Sequence, residues 1–233
     1  MNIVVWTIFF ATIGLIGCLF EWRGKFLGWI ARIWGKVILK VGGIQYKVNG
    51  LENLDPNSHY VFAANHESAM DIPLTFASLP FHIVSISKIE LKRIPIFGWA
   101  MMAGGHFFVD RRNHKKAMNS LEKAKKSMTK NPRSIILYPE GTRSMNGEIM
   151  PFKKGGLIWA LQMGVPVVPM ALCGTRDTLK KKSLVLKNHP LIVEVGAPIE
   201  TASLTFEDRQ QYVTNVQEAV VALKAKWQEN GSS

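Results

Sequence analysis

Short apolar segments that resemble strands alternate with segments of helical periodicity from about residue 44 onward. The predicted strands are 60–64, 81–87, 106–109, 134–138, 165–172 and 191–195. The predicted helices are 70–79, 94–103, 113–130, 157–163 and 206–227. This alternation predicts an α/β fold, in which a mixed, largely parallel sheet is flanked by helices on both faces.

Proline and asparagine add detail to three of these elements. Pro166 and Pro169 lie in the fifth predicted strand. Since proline cannot donate to a sheet ladder, they predict an edge or terminal position. Pro95 falls in the first turn of the second predicted helix, where a missing N–H is tolerated. Asn113 is placed to cap the helix that follows it.

The N-terminal segment is apolar. Residues 1–20 lack charged side chains, and residues 3–20 form one run of 18 residues. As a helix this run is about 27 Å long, close to the hydrocarbon thickness of a bilayer. We therefore expect a membrane anchor, which either spans the bilayer or lies in its interface. A buried core helix is an alternative, and residues 15–18 also resemble a lipoprotein cleavage box.

Basic side chains follow this run and none precedes it. The positive-inside rule therefore predicts that the rest of the chain lies in the cytoplasm. A secretory signal peptide is not indicated, because such a peptide begins with a basic region.

Residues 25–41 combine apolar residues at helical spacing with interleaved basic residues. The basic residues are Lys25, Arg32, Lys36 and Lys40. An amphipathic helix of this kind is typical of the lipid headgroup region, although a core-facing helix with a solvated face has the same pattern. The chain thus divides into membrane-anchoring helices at 1–42 and an α/β domain at 43–233.

The chain is strongly basic, with 29 Lys and Arg against 17 Asp and Glu and a net charge of +12. Such a surface attracts nucleic acid, anionic membranes or acidic small molecules. Basic residues are densest at 111–130, with a second patch at 180–182. Both are either solvated surfaces or contacts to anionic lipid. The two cysteines, Cys18 and Cys173, are expected to be buried, reduced thiols, because two cannot form a disulfide scaffold.

Several common catalytic motifs are absent from the sequence. There is no G-x-S-x-G elbow, phosphate-binding P-loop, G-x-G-x-x-G turn, H-E-x-x-H helix or Cys/His cluster. These absences argue against a serine hydrolase, an NTPase, a dinucleotide-dependent enzyme and a zinc protein.

A histidine and an aspartate stand five positions apart directly after the first predicted strand, at His66 and Asp71. In one straight helix they would point about 140° apart. They can meet if His66 lies in the strand-to-helix turn and Asp71 in the first helical turn. A carboxylate on imidazole Nδ1 leaves Nε2 free to accept a proton, which is the arrangement of a general base.

Three further segments place polar or glycine residues near strand ends, where the sites of α/β proteins gather. They are 105–111, 138–144 and 165–169. Each alone is equally consistent with a capped loop, a surface ion pair or a rigid strand.

Together, the four segments closely resemble the motifs of the glycerolipid acyltransferases, and most closely those of the bacterial 1-acylglycerol-3-phosphate acyltransferases. The motif N-H-x-S-x-x-D matches residues 65–71, and G-x-x-F-[IV]-x-R matches 105–111. The motif [FY]-P-E-G-T-R-S matches 138–144, and V-P-[VI]-[VI]-P matches 165–169. The resemblance covers about residues 45–200.

The resemblance implies a reaction and its catalytic residues. His66, oriented by Asp71, would deprotonate the 2-hydroxyl of a lysophosphatidate. That oxygen would attack the thioester of acyl-CoA or acyl carrier protein directly, giving phosphatidate. No acyl-enzyme, cofactor or metal would be needed.

The resemblance also implies how the acceptor is bound. Its phosphate calls for cations, and the family pattern indicates Arg111 and Arg143, with Lys88 as a third candidate. Glu140, with Gly141 and Thr142, would either organise the third-motif turn or contact an acceptor hydroxyl.

Five apolar residues near the second motif have two interpretations, the lining of an acyl channel or core packing. They are Trp99, Met101, Met102, Phe107 and Phe108. The five other histidines are interpreted as surface or structural residues. They are His59, His82, His106, His114 and His189.

Other functions stay open. A related acyltransferase would act on lyso-ornithine lipid or another lysophospholipid. A nucleic-acid binder would explain the positive charge, but no nucleic-acid motif is present. A non-catalytic membrane protein with a decayed site is disfavoured by the intact motif residues. The resemblance, taken with the N-terminus, predicts the cytoplasmic membrane as the location, with the catalytic domain on its cytoplasmic side.

Overall fold

Seven strands form one sheet in the computed structural model, which describes residues 3–110, 112–183 and 185–230. The strands are β1 Tyr46–Asn49, β2 Val61–Ala64, β3 Ile83–Lys88, β4 Phe107–Val109, β5 Ser134–Leu137, β6 Val167–Cys173 and β7 Leu191–Val195. Their order is β1-β7-β6-β2-β5-β3-β4. Among these residues every neighbouring pair is parallel except β6 with β7, which confirms the predicted mixed, largely parallel sheet.

Helices cover both faces of the sheet. They are α1 Ile3–Gly17, α2 Lys25–Val41, α3 Asp71–Ser78, α4 Phe97–Ala103, α5 His114–Lys130, α6 Lys154–Met163, α7 Thr175–Thr178 and α8 Arg209–Asn230. Alternate residues of β2 point to opposite faces, so Phe62 packs with α2 and α3 while Val61 packs with α5, α6 and α8. β2 is therefore buried on both faces, as expected for a central parallel strand.

The edge alternative for the proline-containing strand was wrong, because β6 lies between β7 and β2. Pro166 does have a terminal position, since β6 begins at Val167. Val167 exchanges two backbone hydrogen bonds with Ile199, while the β6–β7 ladder begins only at Met170. Pro169 lies between these pairings, where its carbonyl accepts from the Gly196 amide. A central strand thus tolerates this proline because no ladder bond requires its missing N–H.

Several element boundaries differ from the predictions. α4 begins at Phe97 rather than 94, because Pro95–Phe97 form a tight turn with Ile96 at a φ of 62°. α8 begins at Arg209 rather than 206, since the Asp208 carboxylate accepts from the Thr205 amide in the preceding turn. The half-buried β1 and the four-residue α7 were not predicted. The Asn113 cap is confirmed, its side chain accepting from the Lys116 amide at 3.0 Å.

α1 lies against the rest of the protein. Gly14 packs on Leu27 of α2, and Trp34 Nε1 donates to Thr7 Oγ1 at 3.1 Å. The helix ends at Gly17, three residues before the end of the apolar run. In the part of the chain that the structure describes, no helix has the length and apolar character needed to cross a bilayer.

α2 shares the core of the α/β domain, since Ile38 and Leu39 are buried beside β2 and α3. Its opposite side exposes Trp29 together with the basic residues Lys36 and Lys40. The helix is therefore amphipathic as predicted, with one face on the protein core. The boundary drawn between residues 42 and 43 stays a prediction.

The crossing of α2 over α3 is close because Gly35 has no side chain. A Cβ at Gly35 would lie 2.5 Å from the Pro73 carbonyl oxygen and 3.0 Å from the Ala77 nitrogen. Both neighbours are backbone atoms of α3, so they cannot turn aside as a flexible side chain would. Gly35 therefore sets the distance between α2 and the helix that carries Asp71.

Gly35→Ala is expected to lower the melting temperature by about 2–6 °C, since overpacking at about 1–3 kcal/mol outweighs the ~1 kcal/mol that alanine gains in helix propensity. The control is Gly155→Ala in α6, where a Cβ would meet no atom within 4 Å. Differential scanning calorimetry measures both. An equal rise in both variants would contradict the close crossing.

Candidate active site

The candidate site lies where parallel strands β2 and β5 end side by side. Ala63 pairs with Leu137, so the turn after β2 and the turn after β5 leave the sheet together. Ligand sites of open α/β sheets form at this carboxyl edge. The first and third motifs are therefore neighbours in space.

His66 and Asp71 meet as predicted. The His66 Nδ1 atom lies 2.6 Å from Asp71 Oδ2, with the histidine in the turn and the aspartate as the first residue of α3. The Asp71 side chain is fully buried, while 17% of the His66 side chain is exposed. A carboxylate at Nδ1 can only accept, so a neutral imidazole in this contact has its hydrogen at Nδ1 and its lone pair at Nε2.

The Asp71 carboxylate is held by the turn that it helps to form. Oδ2 also accepts the backbone amides of Glu67 at 2.8 Å and Ser68 at 2.9 Å. One oxygen thus receives three hydrogens, and its place at the start of α3 adds a favourable helix-end field. These contacts fix the position of the carboxylate oxygen that faces His66.

The Tyr138 ring packs against the His66 ring. The two rings stack with centroids 4.3 Å apart at an interplanar angle of 23°. The Tyr138 hydroxyl lies 3.0 Å from Thr75 Oγ1 on α3. Burial raises the pKa of the Tyr138 hydroxyl well above its ordinary value, and the charge of Asp71 adds to the rise. The hydroxyl therefore stays protonated and uncharged. Tyrosine at this position fixes the plane of the imidazole from one side.

Glu140 joins the two turns. Its Oε1 accepts the His66 backbone amide at 2.6 Å, and its Oε2 accepts the Met150 amide at 3.0 Å. Burial raises the pKa of the Glu140 carboxyl, while these two amide hydrogen bonds act in the opposite direction. The contacts favour the turn-organising alternative for Glu140 over contact with the acceptor.

The rest of the third motif forms the rim of the site. Gly141 has a φ of 72°, and a Cβ there would lie 2.9 Å from Lys153 Nζ. Thr142 is exposed and Arg143 is half-buried. The Arg143 carbonyl accepts from Lys181 Nζ at 2.6 Å, which brings the second basic patch to this rim.

Of the other two predicted phosphate ligands, the structure describes Lys88, which lies further along the same edge. Lys88 is exposed at the end of β3, beside Val109 of β4. Arg111 lies outside the described residues. Lys88 and Arg143 thus follow neighbouring strands, but Lys88 is not part of the contact network around His66 and Glu140.

The apolar residues near the second motif fall into two groups. Met101 is buried and Phe107 is half-buried against Trp159, whereas Trp99 and Met102 are partly exposed. Of the histidines, His106 is structural, because its Nδ1 accepts from the Ser85 amide at 3.0 Å. The described residues hold no group of three or more His, Cys, Asp or Glu arranged to bind a metal ion.

Comparison with known proteins decides the family. A family model described as Acyltransferase matches residues 45–173, more than half of the chain. This chain belongs to the acyltransferase family. The match confirms the resemblance carried by the four motifs, and it covers the sheet from before β1 to the end of β6.

Individual acyltransferases support the assignment. The chain is 32% identical over 91% of its length to a 1-acyl-sn-glycerol-3-phosphate acyltransferase of Saccharomyces cerevisiae, covering 71% of that protein. It is 34% identical over 77% of its length to one from Cocos nucifera, spanning only 58% of the relative's own length. The solved structure of the 1-acyl-sn-glycerophosphate (LPA) acyltransferase PlsC from Thermotoga maritima aligns with a TM-score of 0.74 and 26% identity, covering 95% of this chain and 94% of that one.

The sequence did not assign roles to three buried residues of this acyltransferase. Asn65 Oδ1 accepts from the Leu172 amide on β6 at 2.7 Å, and Asn65 Nδ2 donates to the Leu172 carbonyl at 3.0 Å. Glu67 forms an ion pair with Lys224 of α8. Asn65 and Glu67 fall within the first motif and were open to notice there. Lys224 gives no local signal, because its partner lies 157 positions away.

Glu140→Gln tests the turn-organising role. The amide nitrogen of glutamine would face one of the two backbone N–H groups, so we expect a stability loss of about 1–3 kcal/mol. Acyl-transfer kcat should fall about 10-fold or more with little change in acceptor KM, because His66 shifts while the acceptor contacts remain. Steady-state kinetics and thermal melts measure these effects. Glu148→Gln, at an exposed position in the same loop, is the control, and a raised acceptor KM in Glu140→Gln would favour acceptor contact instead.

Proposed function

We propose that this acyltransferase transfers a fatty acyl group from acyl-CoA or acyl carrier protein to the 2-hydroxyl of 1-acylglycerol-3-phosphate, giving phosphatidate for phospholipid biosynthesis. The names of the yeast, coconut and Thermotoga relatives support this acceptor. The observation that carries the proposal is the 2.6 Å contact between His66 Nδ1 and Asp71 Oδ2.

The proposed mechanism uses His66 as a general base. Nε2 takes the proton of the acceptor hydroxyl as its oxygen attacks the thioester carbonyl carbon. The imidazolium that forms is stabilised by the Asp71 carboxylate. A carbon–oxygen bond forms, the carbon–sulfur bond breaks, and His66 returns the proton to the thiolate. The route needs no cofactor and no covalent acyl-enzyme.

We place the acceptor phosphate among the cations at the carboxyl edge of the sheet. Arg143 and Arg111 are the main candidates, because the planar guanidinium can bind two phosphate oxygens at once. Lys88, at the end of β3, would add a single charge. Glu140 lies behind this rim, with Gly141 and Thr142 forming the turn.

His66→Ala should lower acyl transfer to lysophosphatidate by about 10²–10⁴-fold, the usual contribution of a general base. The matched control is His59→Ala, because His59 is exposed just before β2, at the opposite end of that strand. The measurement is phosphatidate formed from labelled acyl-CoA in detergent, repeated with acyl carrier protein as donor. Full activity in folded His66→Ala would end this mechanism.

The same assay tests the acceptor. Lysophosphatidate is compared with monoacylglycerol, which lacks the phosphate, and with lyso-ornithine lipid. A preference for lysophosphatidate supports the proposal. Equal or better transfer to an acceptor without phosphate would favour the related lysolipid acyltransferase, and no transfer with any donor and acceptor would end both alternatives.

We also propose that the helical hairpin of α1 and α2 docks this acyltransferase on the membrane interface, with the catalytic domain on the cytoplasmic side. The turn between the helices exposes 82% of Leu19, 87% of Phe20 and 81% of Trp22. Apolar side chains this exposed are typical of a lipid-binding surface. The Arg23 guanidinium lies 5.5 Å from the centre of the Trp22 ring, so basic and aromatic groups meet at this turn.

Replacing Leu19, Phe20 and Trp22 together by serine should weaken binding to vesicles that contain anionic lipid by more than about 10-fold, since each buried apolar side chain contributes roughly 1.5–3 kcal/mol. Vesicle flotation measures the bound fraction. The control replaces three other exposed apolar residues, Val185, Phe206 and Val221, by serine. Equal flotation of both triple variants would contradict docking through the hairpin turn.

A further inference from the structure

A buried ion pair lies directly behind the proposed catalytic turn. Glu67, the residue after His66, is only 4% exposed, and Lys224 of α8 is 7% exposed. The Lys224 ammonium bonds Glu67 Oε1, and the same oxygen accepts from Asn65 Nδ2 at 2.8 Å. No part of the proposed reaction uses this pair.

Lys224 ties three separate parts of the chain together. Besides Glu67 in the first motif, its ammonium bonds the Gly147 carbonyl, in the loop that follows the third motif. The Gly147 amide in turn donates to Ser144 Oγ, and Ser144 is the last residue of that motif. α8 lies beyond residue 173, where the family match ends. A single side chain from outside the matched region thus contacts both segments that build the site.

The Glu67 backbone connects this ion pair to the contact between His66 and Asp71. The Glu67 amide donates to Asp71 Oδ2, the oxygen that binds His66 Nδ1. Lys224 therefore fixes the side chain of Glu67, and Asp71 fixes its backbone amide. A shift of Glu67 would change the direction of a hydrogen bond to the catalytic carboxylate.

Electrostatics makes the pair sensitive to the loss of either partner. Burial raises the pKa of the Glu67 carboxyl, and the hydrogen bond and charge of Lys224 oppose that rise. Asp71 is a second nearby carboxylate, and its charge acts on Glu67 in the same direction as burial. A buried carboxylate without its cation is strongly unfavourable, so the turn would rearrange to reach water or take up a proton.

We propose that Lys224 is a positioning residue of this acyltransferase: through Glu67 it holds the 65–71 turn so that Asp71 faces His66. The catalytic part of this inference rests on the proposed function, whereas the structural part does not. α8 then acts as a clamp on the turn, beyond its packing against the sheet.

Four variants test the clamp. Lys224→Met keeps the apolar stem and removes the ammonium. Glu67→Gln gives the Lys224 ammonium an uncharged amide oxygen in place of the carboxylate, so it probes the same contact without leaving a lone carboxylate if Lys224→Met does not fold. The double variant removes both charges. Lys226→Met is the matched control, because Lys226 is an exposed lysine of the same helix.

The first measurement is hydrogen exchange by mass spectrometry, which needs no substrate. Lys224→Met and Glu67→Gln should speed exchange in peptides covering 65–71, which include the Glu67 and Ser68 amides bonded to Asp71. Lys226→Met should leave these peptides unchanged. Unchanged exchange at 65–71 in both Lys224→Met and Glu67→Gln would overturn the clamp, whatever reaction the protein catalyses.

The second measurement is steady-state acyl transfer to lysophosphatidate. Lys224→Met should lower kcat about 10–100-fold with KM values for both substrates within about twofold of wild type, because displacement of a catalytic group acts on the chemical step. The double variant should stay within about threefold of Lys224→Met, because it lacks the contact that holds the turn even though no unpaired buried carboxylate remains. Loss of kcat in Lys226→Met to the same extent, or recovery of the double variant to near the wild-type value, would overturn the positioning role.

The two measurements separate the proposals. Faster exchange at 65–71 with a wild-type enzyme that acylates no lysolipid would support the clamp and end the proposed function. Unchanged exchange with an active wild type would end the clamp and leave the proposed function standing.

Discussion

The site depends on one oxygen atom, Asp71 Oδ2, which receives hydrogens from the His66 ring and from the backbone amides of Glu67 and Ser68. A buried carboxylate needs such donors, because it has lost its water. Here the donors come from the turn between β2 and α3, so satisfying Oδ2 also shapes that turn. The same hydrogen bonds therefore fix the local fold and orient His66, the proposed general base.

Much of this arrangement could be predicted from the sequence, because it is local. The five-residue spacing of His66 and Asp71 requires a strand-to-helix turn, and the alternation of strands and helices supplies one. Parallel strands then bring the turns after β2 and β5 to one edge. The position of β6 was not predictable in this way, since Pro169 is tolerated by a gap between two pairings that only the assembled sheet contains.

Long-range contacts account for the rest. The sequence did not distinguish two roles for Glu140, organising the turn or contacting the acceptor. The two backbone amides that donate to its carboxylate belong to His66 and Met150, in separate segments of the chain. Gly35 has no feature in the sequence that marks its close approach to α3. Periodicity describes which face of a helix is apolar, but it does not say which backbone will lie against that face.

The pairing of Glu67 with Lys224 has a consequence for how the protein is made. Synthesis runs from the N-terminus, so the ribosome completes all four motifs well before it reaches residue 224. Until then Glu67 has no cation from α8, and the turn it occupies is stable only with water or a proton in place of that cation. A nascent chain therefore contains every proposed catalytic residue before it contains the lysine that balances the buried charge of Glu67.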